Sequence, residues 1–449
     1  MSSYWKLHKF PILMVLISIG FYGSFAYDLD RSDFIKLITL SLGLFFLCYK
    51  IIQFEKWNFK FLIVAGILFR LVFFVVSPNL SQDFFRFIWD GELVRQGFNP
   101  YLFTPNELMA QGNLVIANAQ ELHMGMGELS AKHFSNYPPL NQVLFALAAA
   151  LGGKSILGSI MVMRAIIICA DLGILYFGIK LLKHLNRSSY LIFWYFLNPL
   201  VIIELTGNLH FEGVMLFFFM VAIYFTAKKK WQWGGVFYAF AILTKLVPLI
   251  FLPLFLKHYG IKKSLIFYFI IGGAVLVFTL PFFTMDFIAN YSATIGLWFS
   301  NFEFNASIYN IIKYVGLQFD VPAYEMIKVY GKVIPFIIIT VVLVFTFLRN
   351  NKNTSGLIVS MLWILSCYYF LATTVHPWYI IFLVILAIFT EFRFPLVWSF
   401  TVILSYWAYS NALFQESLLI LSIEYILVYG FLIYELITLN NKNLLFCKN

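Results

Sequence analysis

An all-helical, polytopic membrane protein is what this sequence predicts, on three observations. Of its 449 residues, 61% are apolar, 20% aromatic and only 12% charged, more hydrophobic surface than the core of a soluble chain this size can hide. The apolar runs are roughly 17 to 24 residues long, which suits helices crossing about 30 Å of hydrocarbon. They lack the alternation that strands of a transmembrane barrel require.

Taken in order, the candidate spans are 10–26, 34–54, 61–77, 160–182, 190–206, 211–227, 232–244, 246–257, 264–283, 330–348, 356–374, 377–391, 395–410 and 417–438, fourteen in all, within one transmembrane domain covering 1–449. Lys6 and Lys9 precede the first apolar run as they would in a signal peptide. No small-x-small cleavage site follows and a second span comes soon after, so the first run reads as an uncleaved span. The pair at 232–257 is shorter than the rest.

The net charge of +10 invites a nucleic-acid reading, but the basic residues are dispersed in short clusters between spans and act as topology signals. An N-terminus on the cytoplasmic side places Lys50, Lys56, Lys60, Lys180, Lys183, Arg187, Lys228, Lys229, Lys230, Lys257, Lys262, Lys263, Arg349, Lys352, Arg393, Lys442 and Lys448 on that same side. This holds only if 138–152, PPLNQVLFALAAALG, does not cross. At about 15 residues, opening on two prolines, it reads as a re-entrant or interfacial helix on the outer side. The outer face then owns two large loops, 78–159 and 284–329, and long loops in a compact protein usually carry function. Cys48, Cys169, Cys367 and Cys447 form no CxxC pattern, and no disulfide framework is expected.

Ionisable residues in or beside spans are costly and therefore functional candidates. In SQDFFRFIWDGELVRQGFNPY, 81–101, the residues Asp83, Arg86, Phe87 and Asp90 fall at i, i+3, i+4 and i+7, one face of a helix. The simplest reading of Asp83 with Arg86 is a surface ion pair; the company these residues keep weighs against it. Asn198-Pro199 interrupts a span that runs out through ELTGNLHFE, setting Asn208, His210 and Glu212 at its outer mouth. A polar turn between two spans is the plain alternative there. Lys245, in LTKLVP, either snorkels or offers a counter-charge to a phosphate. His376 opens another span with Trp378 and Tyr379 behind it. An interfacial belt accounts for the Trp and Tyr but not for a His, which can meet a lipid phosphate without a permanent charge in the bilayer. Arg164 and Asp171 make a further charged pair at i, i+7, with structural pairing the better reading for Asp171. A transporter would place such charges near the midplane, often in repeated halves; here they gather at the outer ends beside a long loop.

The pieces QDFFRFIWDG with GFNPY, YPPL, MRAIIICADLGILY, LNPLVIIELTGNLHFEG, LTKLVPL and VHPWY, spread over 82–379, resemble in order the motifs of the GT-C superfamily of polyprenyl-phosphate-sugar-dependent glycosyltransferases. Its dolichol-linked glucosyltransferases, GPI mannosyltransferases and bacterial mannosyltransferases are all similar. The resemblance implies a GT-C-like bundle of about 14 spans in which Asp83, opening the first long outer loop, is the catalytic base. It implies that the YPPL helix does not cross and that His376 faces the donor phosphate. The expected function is transfer of a hexose, mannose by family alone, from a polyprenyl-phosphate donor to an extracytoplasmic glycan or lipid-linked acceptor with inversion. Lys245, Arg86 and Arg164 are expected to help His376 offset phosphate charge. Asp90, Tyr137, Asn208, His210, Glu212, Trp378 and Tyr379 are expected to contact sugar or support the site. Some members of the superfamily place a divalent metal at this acid. No ligand-dense HxH or DxD motif stands on an outer loop here, so neither metal nor cofactor is expected. The expected location is the cytoplasmic (inner) membrane with the site facing outward, in contact with lipid and without nucleic acid. Two alternatives remain: a flippase or exporter of lipid-linked sugars, and a glycan polymerase or ligase using a lipid pyrophosphate donor.

Overall fold

A computed structural model describes residues 2–112, 116–300 and 302–441; Cys447 lies outside them. Among the described residues the elements are helical, and the one β-type pairing is an isolated parallel bridge between Phe304 and Thr374. This is the all-α membrane architecture expected from composition. Seven helices are long and apolar enough to cross a bilayer: Tyr4–Tyr27, Phe34–Glu55, Ile156–His184, Ile261–Phe282, Ala323–Phe347, Thr354–Leu371 and Leu418–Leu439. An eighth crossing comes from Ser189–Phe196 with Pro199–Gly207 if that pair, bent by 51°, counts as one span.

The other six expected spans are shorter helical pieces, among them Phe59–Leu71, Glu212–Ala227 and Trp231–Thr244. Hydropathy alone cannot say which of them cross, because a helix buried on all sides in protein is as apolar as one facing lipid. Burial does distinguish the two kinds. Every residue of Ile380–Ile388 is buried, whereas Phe269 and Phe336 on the long helices are 81% and 71% exposed and suit a lipid-facing surface. Pro139–Leu151, expected as the re-entrant helix, has 13 residues. Its length is therefore about 20 Å.

The chain divides into two compact units. The first comprises Met1–Leu80, Ile167–His210 and Pro377–Asn449. Its broken helix follows from Pro199, which lacks an N–H and leaves backbone acceptors open where no water can reach them. Asn198 caps the new start by accepting from Leu200 N at 2.9 Å. Arg70 satisfies the old end, its Nη1 donating to the carbonyls of Phe196 at 2.9 Å and Gly66 at 3.0 Å. The guanidinium also lies over the Phe196 ring and pairs through Nε with Asp171 at 2.8 Å. Tyr195 donates to the same carboxylate at 3.1 Å. Asp171 does carry a structural ion pair, and its partner is Arg70.

The second unit comprises Ser81–Ile166 and Phe211–His376. Helix Asp83–Arg95 lies against Pro139–Leu151 so closely that a Cβ at Gly91 would come within 2.3 Å of the Phe145 carbonyl oxygen. Phe87 stacks on Phe145 with ring centroids 4.6 Å apart and meets Tyr137 edge-on at 5.0 Å. The second long loop is itself helical, with Met285–Ser300 and Ile308–Leu317. The GFNPY turn ties it down: Asn99 donates to the Phe282 carbonyl, Asn290 donates to that of Tyr101, and Tyr101 packs on Phe282 and Phe287.

Candidate active site

Asp83 is the first residue of its helix, after the N-cap Gln82. The position favours an anion, since the helix dipole and free N–H groups point at it. Two turns on, the same face changes role. Asp90 is fully buried and accepts from Arg86 Nε at 2.7 Å, Ser135 Oγ at 2.5 Å and Gln142 Nε2 at 3.2 Å. Arg86 spends Nη1 on the carbonyls of Ser130 and His133. This buried network clamps the helix to the segment leading into Pro139–Leu151. Gln82 adds a bond to the Met126 carbonyl at 3.2 Å. Tyr137 takes its place through the Tyr101 hydroxyl, which donates to its carbonyl at 2.6 Å.

The Pro139–Leu151 helix also reaches toward Lys245. Asn141 Nδ2 donates to the Thr244 carbonyl at 2.7 Å, pinning the end of Trp231–Thr244, whose C-cap is Lys245. Lys245 is ion-paired with Glu212 at the start of Glu212–Ala227, and the Asp83 charge acts on it. The second unit thus gathers Asp83, Glu212 and Lys245 from three helices. Lys245 lies outside the candidate spans, and burial pulls its ammonium down from the ordinary 10.5 to about 7 while Asp83 pushes the other way. Its side chain remains 33% exposed.

His376 stacks on Phe304 with centroids 5.0 Å apart. The segment before it is held by the isolated bridge, in which Phe304 N donates to Thr373 O and Val375 N to Phe304 O. A ring from the second long loop therefore sets the His, a link with no signal in local sequence. Arg164 is fully buried within Ile156–His184.

In the first unit, His210 lies flat on Trp378, centroids 3.7 Å apart and 19° between planes, and Tyr379 meets Trp378 edge-on. Asn208 accepts from Leu80 N with Oδ1, and its Nδ2 donates to Glu204. Among the described residues no three His, Cys, Asp or Glu side chains gather as metal ligands would.

An arrangement of one carboxylate at a helix start and one lysine held by a second carboxylate is equipped to accept a proton and to neutralise a phosphate. Comparison with known proteins bears on what it does. Residues 29–259, half of the chain, match the family described as Alpha-(1->6)-mannopyranosyltransferase, N-terminal domain. Alpha-(1->6)-mannopyranosyltransferase B of Corynebacterium glutamicum is 28% identical over 153 residues, 33% of this chain and 24% of that protein. Alpha-(1->6)-mannopyranosyltransferase A of the same organism is 21% identical over 188 residues, 39% of this chain and 34% of that protein. Alpha-(1->6)-mannopyranosyltransferase A of Mycobacterium tuberculosis is 21% identical over 323 residues, 67% of this chain and 60% of that protein. The matched stretch spans less than two thirds of each relative.

Proposed function

The chain belongs to the alpha-(1->6)-mannopyranosyltransferase family, the bacterial mannosyltransferase kind that its motifs resemble, and on that premise we propose that it transfers a mannosyl residue from a polyprenyl-phosphate donor to a hydroxyl of an extracytoplasmic glycan or lipid-linked acceptor. The observation that carries this reading is the cluster of Asp83, Glu212 and Lys245. A polyprenyl-phosphate sugar brings its own leaving group, so the enzyme needs a base, a phosphate clamp and alignment. Asp83 takes the proton of the acceptor hydroxyl as its oxygen attacks the anomeric carbon. The bond from that carbon to the phosphate oxygen breaks, and its electron pair stays on the phosphate. Lys245, held in place by Glu212, offsets the new charge together with His376. A single displacement inverts the anomeric centre, so an alpha product, as in the names of the relatives, demands a beta-linked donor.

The test is purified protein in lipid nanodiscs, given beta-linked polyprenyl-phosphate mannose with and without a mannoside acceptor. Release of polyprenyl phosphate is expected only with acceptor. Asp83→Asn keeps the shape and removes the base, and turnover should fall about 10²- to 10⁴-fold with an unchanged melting temperature. Near-normal turnover in that variant, or no turnover by the wild type over a panel of polyprenyl-phosphate sugars, would overturn the reading.

A further inference from the structure

We propose that Glu204, in the first unit, is a positioning residue that fixes the orientation of His210 and, through the ring stack, of Trp378; this deepens the transferase reading and rests on it. Glu204 is fully buried in the second half of the bent apolar pair, where a carboxylate is expensive and needs a compensating purpose. It stands in a π-turn, Ile202–Gly207, whose widened backbone closes with Asn208 N donating to Ile203 O at 2.9 Å. Such turns are rare and frequent at functional sites.

Both carboxylate oxygens are allocated. Oε1 accepts from the Tyr406 hydroxyl at 2.7 Å, and Oε2 accepts from Asn208 Nδ2 at 3.1 Å and lies 3.5 Å from His210 Nε2. The backbone cooperates, since His210 N donates to the Glu204 carbonyl at 3.2 Å. For this return the chain reverses at Leu209, a branched residue held at φ +63°, a conformation that costs energy and clusters where function demands it. Arg31 lies over the Tyr409 ring at 3.4 Å, and its charge reaches Glu204.

A buried glutamine would satisfy Tyr406 and Asn208 almost as well. What the carboxylate alone adds is an acidic group 3.5 Å from the imidazole Nε2, a charge contact that favours one orientation of the ring and so the plane in which its nitrogens are presented. The indole stacked on that plane is fixed with it. A set N–H donor beside a set aromatic ring is what recognition of a sugar phosphate uses.

A double-mutant cycle tests this in the nanodisc transfer assay. Glu204→Gln preserves volume; His210→Phe preserves the stack on Trp378 and removes the ring nitrogens. Each is expected to raise donor KM about tenfold, the scale of a lost hydrogen bond to a charged group, with a smaller effect on kcat. The pair together should be no worse than His210→Phe alone. Effects that multiply, or a Glu204→Gln variant that loses thermal stability while keeping its KM, overturn the inference. If Glu204→Gln fails to fold, Tyr406→Phe removes one bond to the carboxylate. It should raise KM about two- to threefold in the wild-type background and not at all with His210→Phe; a rise in both backgrounds overturns the inference. An inert wild type sinks the transferase reading and this one together, whereas an active wild type with a multiplicative cycle sinks this one alone.

Discussion

Lys245 combines a one-third exposed side chain with surroundings that pull its ammonium down to about 7. A lysine whose pKa is lowered is charged below that value and neutral above it, so rising pH removes the proposed phosphate clamp. Donor KM is expected to climb as pH passes upward through about 7, by about tenfold for each unit beyond it until other contacts dominate. Lys245→Arg carries a guanidinium that stays charged, so its KM should be flat over the same range. A wild-type KM indifferent to pH, or a Lys245→Arg profile with the same slope, would remove Lys245 from donor binding. Sequence alone singled out this residue as a lone charge between apolar segments. It could not foresee Glu212 as its ion-pair partner, because the two lie 33 residues apart and meet only when two helices pack.

Helix Asp83–Arg95 shows where reading a helical face succeeds and where it stops. The spacing of Asp83, Arg86, Phe87 and Asp90 correctly implies one face, yet the two carboxylates on it meet opposite surroundings. Asp90 is enclosed by Ser135, Gln142 and Arg86, while Asp83 opens the helix beside Lys245. What divides them is the depth to which Pro139–Leu151 covers the face, and that depth is set by Gly91. With the Phe145 carbonyl oxygen 2.3 Å from where its Cβ would stand, Gly91→Ala forces two backbones apart. A cost of about 1 to 3 kcal/mol is expected, read as a lower melting temperature, with a drop in turnover as Asp83 shifts against Lys245. Gly430→Ala, in a helix where nothing lies within 4 Å of the added Cβ, should be neutral or mildly stabilising. If the two variants melt alike, close approach at Gly91 is not what seats the Asp83 helix.

Across the whole chain, hydropathy marks every apolar helix but cannot say which ones cross, since burial in protein and burial in lipid select the same residues. Charge supplies the missing constraint. If Lys180, Lys183 and Arg187 are retained on the cytoplasmic side, as the positive-inside rule expects, the helix Ile156–His184 begins outside, and Pro139–Leu151 before it begins and ends there. Its 13 residues reach about 20 Å against the about 30 Å of a bilayer core, so length and charge agree. Impermeant maleimide labelling of single cysteines tests this, after Cys48, Cys169, Cys367 and Cys447 are replaced by alanine. In right-side-out vesicles Gln120→Cys and Ser155→Cys, placed before and after the short helix, should both be labelled, and Lys183→Cys only after permeabilisation. Labelling of Ser155→Cys only after permeabilisation would make Pro139–Leu151 a crossing. It would also put the basic end of Ile156–His184 outside, and the outward-facing site assigned to Asp83 would have to be rebuilt from that inverted frame.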